Sequence, residues 1–180
     1  DAFAFSALPK SETACVVEEI SVFVFVFLLN RDKMSSGVQV NPNCIPVFND
    51  IKIGHKHRYI IYAITPNLRE IDVLCVGNKN ETYEDFVERL KEAEDKRECR
   101  YGVFDCEYQL NDGSYRSKLV FFLWSPDTAT IKQKMLYTSS KDYIQKSLVG
   151  IGKVVQANDH GDLEWKNVME VCLRNEVANN

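Results

Sequence analysis

Six consecutive apolar residues, Leu119 to Trp124 (LVFFLW), limit the folds open to this chain more than any other stretch. A strand with one wet face alternates apolar and polar side chains, whereas a run apolar at every position needs cover on both faces. It therefore belongs inside a sheet that has helices packed against both sides. The segment before it supplies its partner. From Arg100 to Leu110, Phe104, Cys106, Tyr108 and Leu110 face one way and Asp105, Glu107 and Gln109 the other, and Asn111-Asp112-Gly113 is a hairpin turn.

Beyond the apolar strand the chain changes character. Ser125-Pro126-Asp127 turns it into a helix from Thr128 to Thr138, on which Met135 falls about 40° from Ile131, with Lys132 and Lys134 to either side. Lys141 and Lys146 continue the basic run and Lys118 precedes it. Between Ser114 and Lys153 seven basic residues stand against two acids, a local +5 in a chain whose net charge is −4. The overall charge argues against a nucleic-acid binder. The local excess marks where a partner with acidic and apolar surface would dock. Taken alone, the pattern more often describes a solvated helix edge.

The remaining elements alternate. Ser35 to Val40 is short, small and polar. Asn43 caps a helix with Pro46 in its first turn and Val47, Phe48 and Ile51 on its apolar face. Strands at Tyr59–Thr65 and Ile71–Val76 are joined by a turn at Pro66-Asn67. Thr82 with Asp85 forms a capping box before Tyr83, Phe86, Val87 and Leu90, which recur at helical spacing. Ser139 or Ser140 caps a second helix, Lys141 to Leu148, closed by Gly150 and Gly152. A strand at Lys153–Gln156 leads to a last helix capped by Asp162, with Trp165, Val168, Met169 and Cys172 inward. The pattern predicts a single α/β domain from Met34 to about Val177.

Residues 1–33 do not match it. Their apolar run, Ile20 to Leu29, is too short for a membrane-spanning helix of about 20 residues, and Glu18 and Glu19 stand where a signal peptide carries positive charge. This segment reads as an atypical leader, non-native or disordered, ahead of a domain at 34–180. Six cysteines without CxxC spacing read as reduced core thiols, and three histidines build no metal cluster. An enzyme using Cys99 or Cys106 with His55 or Asp105 is disfavoured, because Cys106 is patterned inward and no base is placed by local spacing.

MSSGV from Met34, ECRYGVFD at Glu98 to Asp105, and SKLVFFLWSPDTATIKQKMLYTSSKDYIQKSL at Ser117 to Leu148 resemble the actin-depolymerising factor/cofilin family, over Met34 to about Arg174. The resemblance implies the ADF-homology fold, a mixed five- or six-stranded sheet sandwiched by helices. It also implies a cytoplasmic, monomeric, non-enzymatic protein that needs no cofactor or metal, binds monomeric and filamentous actin, and severs and depolymerises filaments. Carried over by position, the surface shared by monomer and filament comprises Ser36, Gly37, Lys132, Lys134, Met135, Ser140 and Lys141. A filament-only surface comprises Arg116, Lys118, Glu170 and Arg174. Ser36 matches the family's regulatory phosphorylation site, and Lys132 and Lys134 are expected to bind acidic phosphoinositides.

The chain departs from the pattern in places. Val171 stands where some members carry arginine, Thr130 replaces a usual proline, Lys153 replaces a histidine linked to pH sensing, and the vertebrate nuclear-import insert is missing near Ile53 to Arg58. The alternative of the same fold is a non-severing module, coactosin-like or glia-maturation-factor-like, that binds filament sides or branch junctions.

Overall fold

A computed structural model describes residues 37–110 and 113–174. In chain order these form β1 (Gln39–Val40), α1 (Cys44–Lys52), β2 (His57–Ile64), β3 (Glu70–Asn78), α2 (Tyr83–Asp95), β4 (Arg100–Gln109), β5 (Tyr115–Trp124), α3 (Ile131–Ser147), β6 (Lys153–Ala157) and α4 (Trp165–Leu173). The six strands make one sheet in the order β1-β3-β2-β4-β5-β6. The three inner pairings are antiparallel, while β1 with β3 and β5 with β6 run parallel. The sheet is thus mixed, as expected.

β5 shows why its sequence is apolar throughout. Leu119, Phe121 and Leu123 enter the layer that holds Phe48 and Ile51 of α1 and Tyr137 and Ile144 of α3. Val120, Phe122 and Trp124 enter the opposite layer with Phe86 and Leu90 of α2 and Val168 and Cys172 of α4. All six are buried. Each such side chain contributes about 1.5–3 kcal/mol relative to exposure, so both helical layers are held by the same strand. Two glycines let helix and strand side chains press onto the sheet. A Cβ on Gly77 would lie 2.2 Å from the Tyr59 ring, and one on Gly102 would lie 2.7 Å from the Phe86 ring.

The capping box forms as predicted: the Asp85 amide donates to Thr82 Oγ1 at 3.3 Å, and the Thr82 amide donates to the Asp85 carboxylate at 2.7 Å. Other expectations need correction. The small, polar stretch before Asn41 contains β1, whose Gln39 and Val40 pair with Glu70 and Ile71. Asn43 makes no side-chain cap bond, and instead its amide donates to Asn41 Oδ1 at 3.0 Å. Asp162 does not cap the last helix. It accepts from the amides of Asn158 and Asp159 and so closes the turn before it, leaving Glu164 at the cap. Trp165 is not inward but 39% exposed, laid against Tyr83 with ring centroids 4.9 Å apart. The two helices predicted between Thr128 and Leu148 are one unbroken helix of 17 residues. The expectations for residues 1–36 lie outside the described residues.

Candidate functional site

α3 is fixed to the sheet at its middle. Tyr101 Oη on β4 donates to the Tyr137 carbonyl at 2.7 Å, and Tyr137 Oη accepts from the Ile64 amide of β2 at 2.9 Å. The two rings lie 4.8 Å apart, and burial pushes both phenols up from their ordinary range. Ser140 and Ile144 continue the buried stripe. Thr130 sits at the helix N-cap, its side-chain oxygen accepting from the Gln133 amide at 3.3 Å. At the other end the Lys52 ammonium donates to the Val149 carbonyl at 2.7 Å.

With one face of α3 committed to the core, the other is defined. Ile131 is 78% and Met135 68% exposed, one helical turn apart, and together they make an apolar ridge. Lys132 is exposed on one flank. Lys134 on the other is half-buried and pairs with Asp127 at 3.1 Å. Sequence reasoning passes over Ile131 as a contact residue, although its i,i+4 relation to Met135 carries the signal. Among the remaining predicted contacts, Lys141 is half-buried, and Gly37 is exposed with φ +69°. The next residue, Val38, is fully buried in the layer that holds Tyr137, which brings this end of the described chain to the α3 side. Ser140, also expected as a contact, is 0% exposed and lies on the stripe that faces the sheet. Ser36 lies outside the described residues.

The predicted filament surface converges on a single side chain. The Lys118 ammonium donates to the Cys172 carbonyl at 2.9 Å and stands 5.7 Å over the Tyr108 ring, so it ties β5 to α4. Arg116 lies two residues away, exposed, opposite Tyr108 in the ladder, while Glu170 and Arg174 are exposed on α4. Of these four, Lys118 links the strand pair to α4, through its bond to the Cys172 carbonyl. Val171 is half-buried and packs against the core layer beneath α4, a position suited to an apolar side chain.

The thiols weighed as nucleophiles, Cys99 and Cys106, are enclosed, both 0% exposed. Burial pushes the Cys99 thiol up, and a hydrogen bond with Cys172 and then burial do the same for Cys106. A thiolate nucleophile needs the opposite shift. His55 Nδ1 faces the Asp105 carboxylate at 3.5 Å, and Ser117 Oγ donates to that carboxylate at 2.5 Å. Among the described residues no group of three or more His, Cys, Asp or Glu side chains is placed to hold a metal ion, and no helix is long and apolar enough to cross a membrane.

The described residues thus form a mixed sheet between two helical layers, with an exposed apolar and basic helix face. Residues 37–173 match the family described as cofilin/tropomyosin-type actin-binding protein, and the chain belongs to it. It is 47% identical over 135 residues to actophorin of Acanthamoeba castellanii, across 75% of this chain and 94% of that protein. Cofilin of Mycosarcoma maydis is 40% identical over 141 residues, covering 78% of this chain and 98% of that one. The crystal structure of Streptomyces griseoflavus cofilin superposes with a TM-score of 0.69 at 36% identity, covering 77% of this chain and 98% of that chain.

Proposed function

We propose that the chain binds both actin monomers and filaments, severs filaments and speeds their depolymerisation, without acting as an enzyme. The observation that carries this reading is the Ile131–Met135 ridge between Lys132 and Lys134, exposed on a helix whose opposite face is held by Tyr101 and Tyr137. An apolar anchor flanked by cations suits a partner that offers an apolar cleft with acidic edges. Arg116, Lys118, Glu170 and Arg174 form a second surface, engaged only when a neighbouring subunit is present in a filament. Binding at two places favours one filament twist over another, so junctions between decorated and bare stretches weaken.

A phosphate on Ser36 adds roughly −1.5 to −2 charges at the terminus that leads to Gly37, and is expected to weaken binding. Lys132 and Lys134 are expected to bind acidic phosphoinositides at about 1 kcal/mol per cation near a membrane surface, in competition with actin. The protein is expected to act as a cytoplasmic monomer.

Co-sedimentation with actin and imaging of single filaments test the function. Severing with accelerated shortening supports it, whereas passive decoration or loss of branches assigns the chain to the coactosin-like or glia-maturation-factor-like alternative. Co-sedimentation of a chain starting at Asp1 and one starting at Met34 tests whether residues 1–33 are a leader foreign to this activity.

A further inference from the structure

The β4–β5 ladder and α4 bring two thiols together. Cys106 and Cys172 are each 0% exposed in the same core layer. Across the ladder Cys106 faces Lys118. The Lys118 ammonium in turn donates to the Cys172 carbonyl at 2.9 Å, which sets that turn of α4 over the strand pair. The neighbouring Cys172 thiol is the first cause that pushes the Cys106 thiol up, ahead of burial. The other described buried cysteines have different partners, Cys44 donating to the Ile71 carbonyl and Cys99 to Ser125 Oγ. Cys75 is half-buried on β3.

We propose that Cys106 and Cys172 form an oxidation site, at which a hydroperoxide converts the dithiol into a disulfide linking β4 to α4. One sulfur, as thiolate, attacks the peroxide; the O–O bond breaks, a sulfenic acid forms and water leaves. The second sulfur attacks the sulfenic sulfur, the S–S bond forms, the S–O bond breaks and a second water leaves. Two thiols and one hydrogen peroxide become one disulfide and two waters.

Because both thiols are enclosed and held protonated, attack waits for α4 to open. Cys172 lies on that helix, which is short. It has nine residues, its N-cap Glu164 makes no side-chain cap bond, and its fully enclosed residues are Val168 and Cys172. Once formed, the link draws α4 toward β4 and alters the placement of Glu170 and Arg174. This last consequence rests on the proposed filament binding, and the chemistry of the link does not.

The full chain is treated with hydrogen peroxide, alkylated, and digested without reduction. The expected result is a peptide pair joining Cys106 to Cys172, lighter than the sum of its parts by two hydrogens and released by dithiothreitol. Cys172→Ser and Cys106→Ala each remove it, and Cys75→Ser retains it. Since the unaltered chain reports the link directly, a variant that fails to fold does not obscure the answer. The proposal is overturned if Cys106 and Cys172 remain unlinked at peroxide exposures that have already oxidised half-buried Cys75. Co-sedimentation of linked and reduced protein then separates the link from its effect on actin. A severalfold loss of filament binding with monomer binding retained supports the effect on α4. A chain that binds no actin in either state overturns the proposed function, with the linked peptide still measuring the cross-link.

Discussion

Tyr101 donates its hydroxyl hydrogen to the main-chain carbonyl of Tyr137, and through this bond a side chain at the centre of the sheet grips the middle of α3. The carbonyl belongs to a helical turn, so the bond adds to the ladder and does not substitute for it. A net contribution of about 0.5–1.5 kcal/mol is expected. Tyr101→Phe keeps the ring against Tyr137, and its predicted effect is a fall of a few degrees in melting temperature with the Ile131–Met135 ridge still presented. A thermal melt and an actin-monomer titration on the same variant check both halves.

Replacing Lys132 and Lys134 together by Ala is predicted to weaken monomer and filament binding by tenfold or more while leaving stability nearly unchanged. The Lys134–Asp127 pair, with Asp127 86% exposed, contributes about 0–1 kcal/mol to folding. Ile131→Ala and Met135→Ala are predicted to weaken binding by about tenfold each, which corresponds to about 1.4 kcal/mol. Retained affinity in the Ile131 variant, measured by monomer titration, would confine the contact to the residues that sequence alone singled out.

The two basic residues of β5 are predicted to behave differently. Arg116→Ala leaves the fold intact and selectively weakens filament co-sedimentation. Lys118→Ala also frees the Cys172 carbonyl and uncovers the Tyr108 ring, so it lowers the melting temperature as well. Comparing the two variants by thermal melt separates a binding residue from a brace.

Gly77→Ala is predicted to destabilise the domain by about 1–3 kcal/mol, because the added Cβ would meet the Tyr59 ring at 2.2 Å. Tyr59→Leu in the same chain should recover part of that loss. Denaturant midpoints for the two single variants and the double variant give the coupling directly.

Tyr59 also supplies a pH prediction. Burial, and then its hydrogen bond to Glu81, raise its phenol to about 12. The phenol is held neutral in the folded state, so its contribution to stability is fully present below the unfolded value of about 10 and is lost as the pH rises toward 12. The same bond holds the Glu81 carboxyl below its ordinary range. That contribution is present above the unfolded value of about 4.3 and fades as the solution becomes more acid. Tyr59→Phe is predicted to flatten both limbs of a plot of stability against pH.

The fold was legible because β5 is apolar on both faces and because Tyr83, Phe86 and Leu90 recur at helical spacing beside a capping box. These signals are local. What escaped depends on distant partners. Gln39 and Val40 form a strand only because Glu70 and Ile71 offer an edge, and the break suspected at Ser139-Ser140 vanishes because the helix is held from outside by Tyr101. At the candidate site, family likeness singles out Lys132, Lys134 and Met135, of which Lys132 and Met135 are exposed. Burial of Ser140 and the engagement of Lys118 with Cys172 were not recognisable, since each depends on an element far away in the chain.

The unbroken helix of 17 residues, gripped near its centre and bare at its amino end, behaves mechanically as a lever. A torque applied by a partner at Met135 has no hinge in which to dissipate. It arrives at Tyr137 and passes through two hydrogen bonds into β2 and β4. The stiffness of this helix face is therefore a property of the sheet, and the proposed affinity and the compliance can be tuned by different residues.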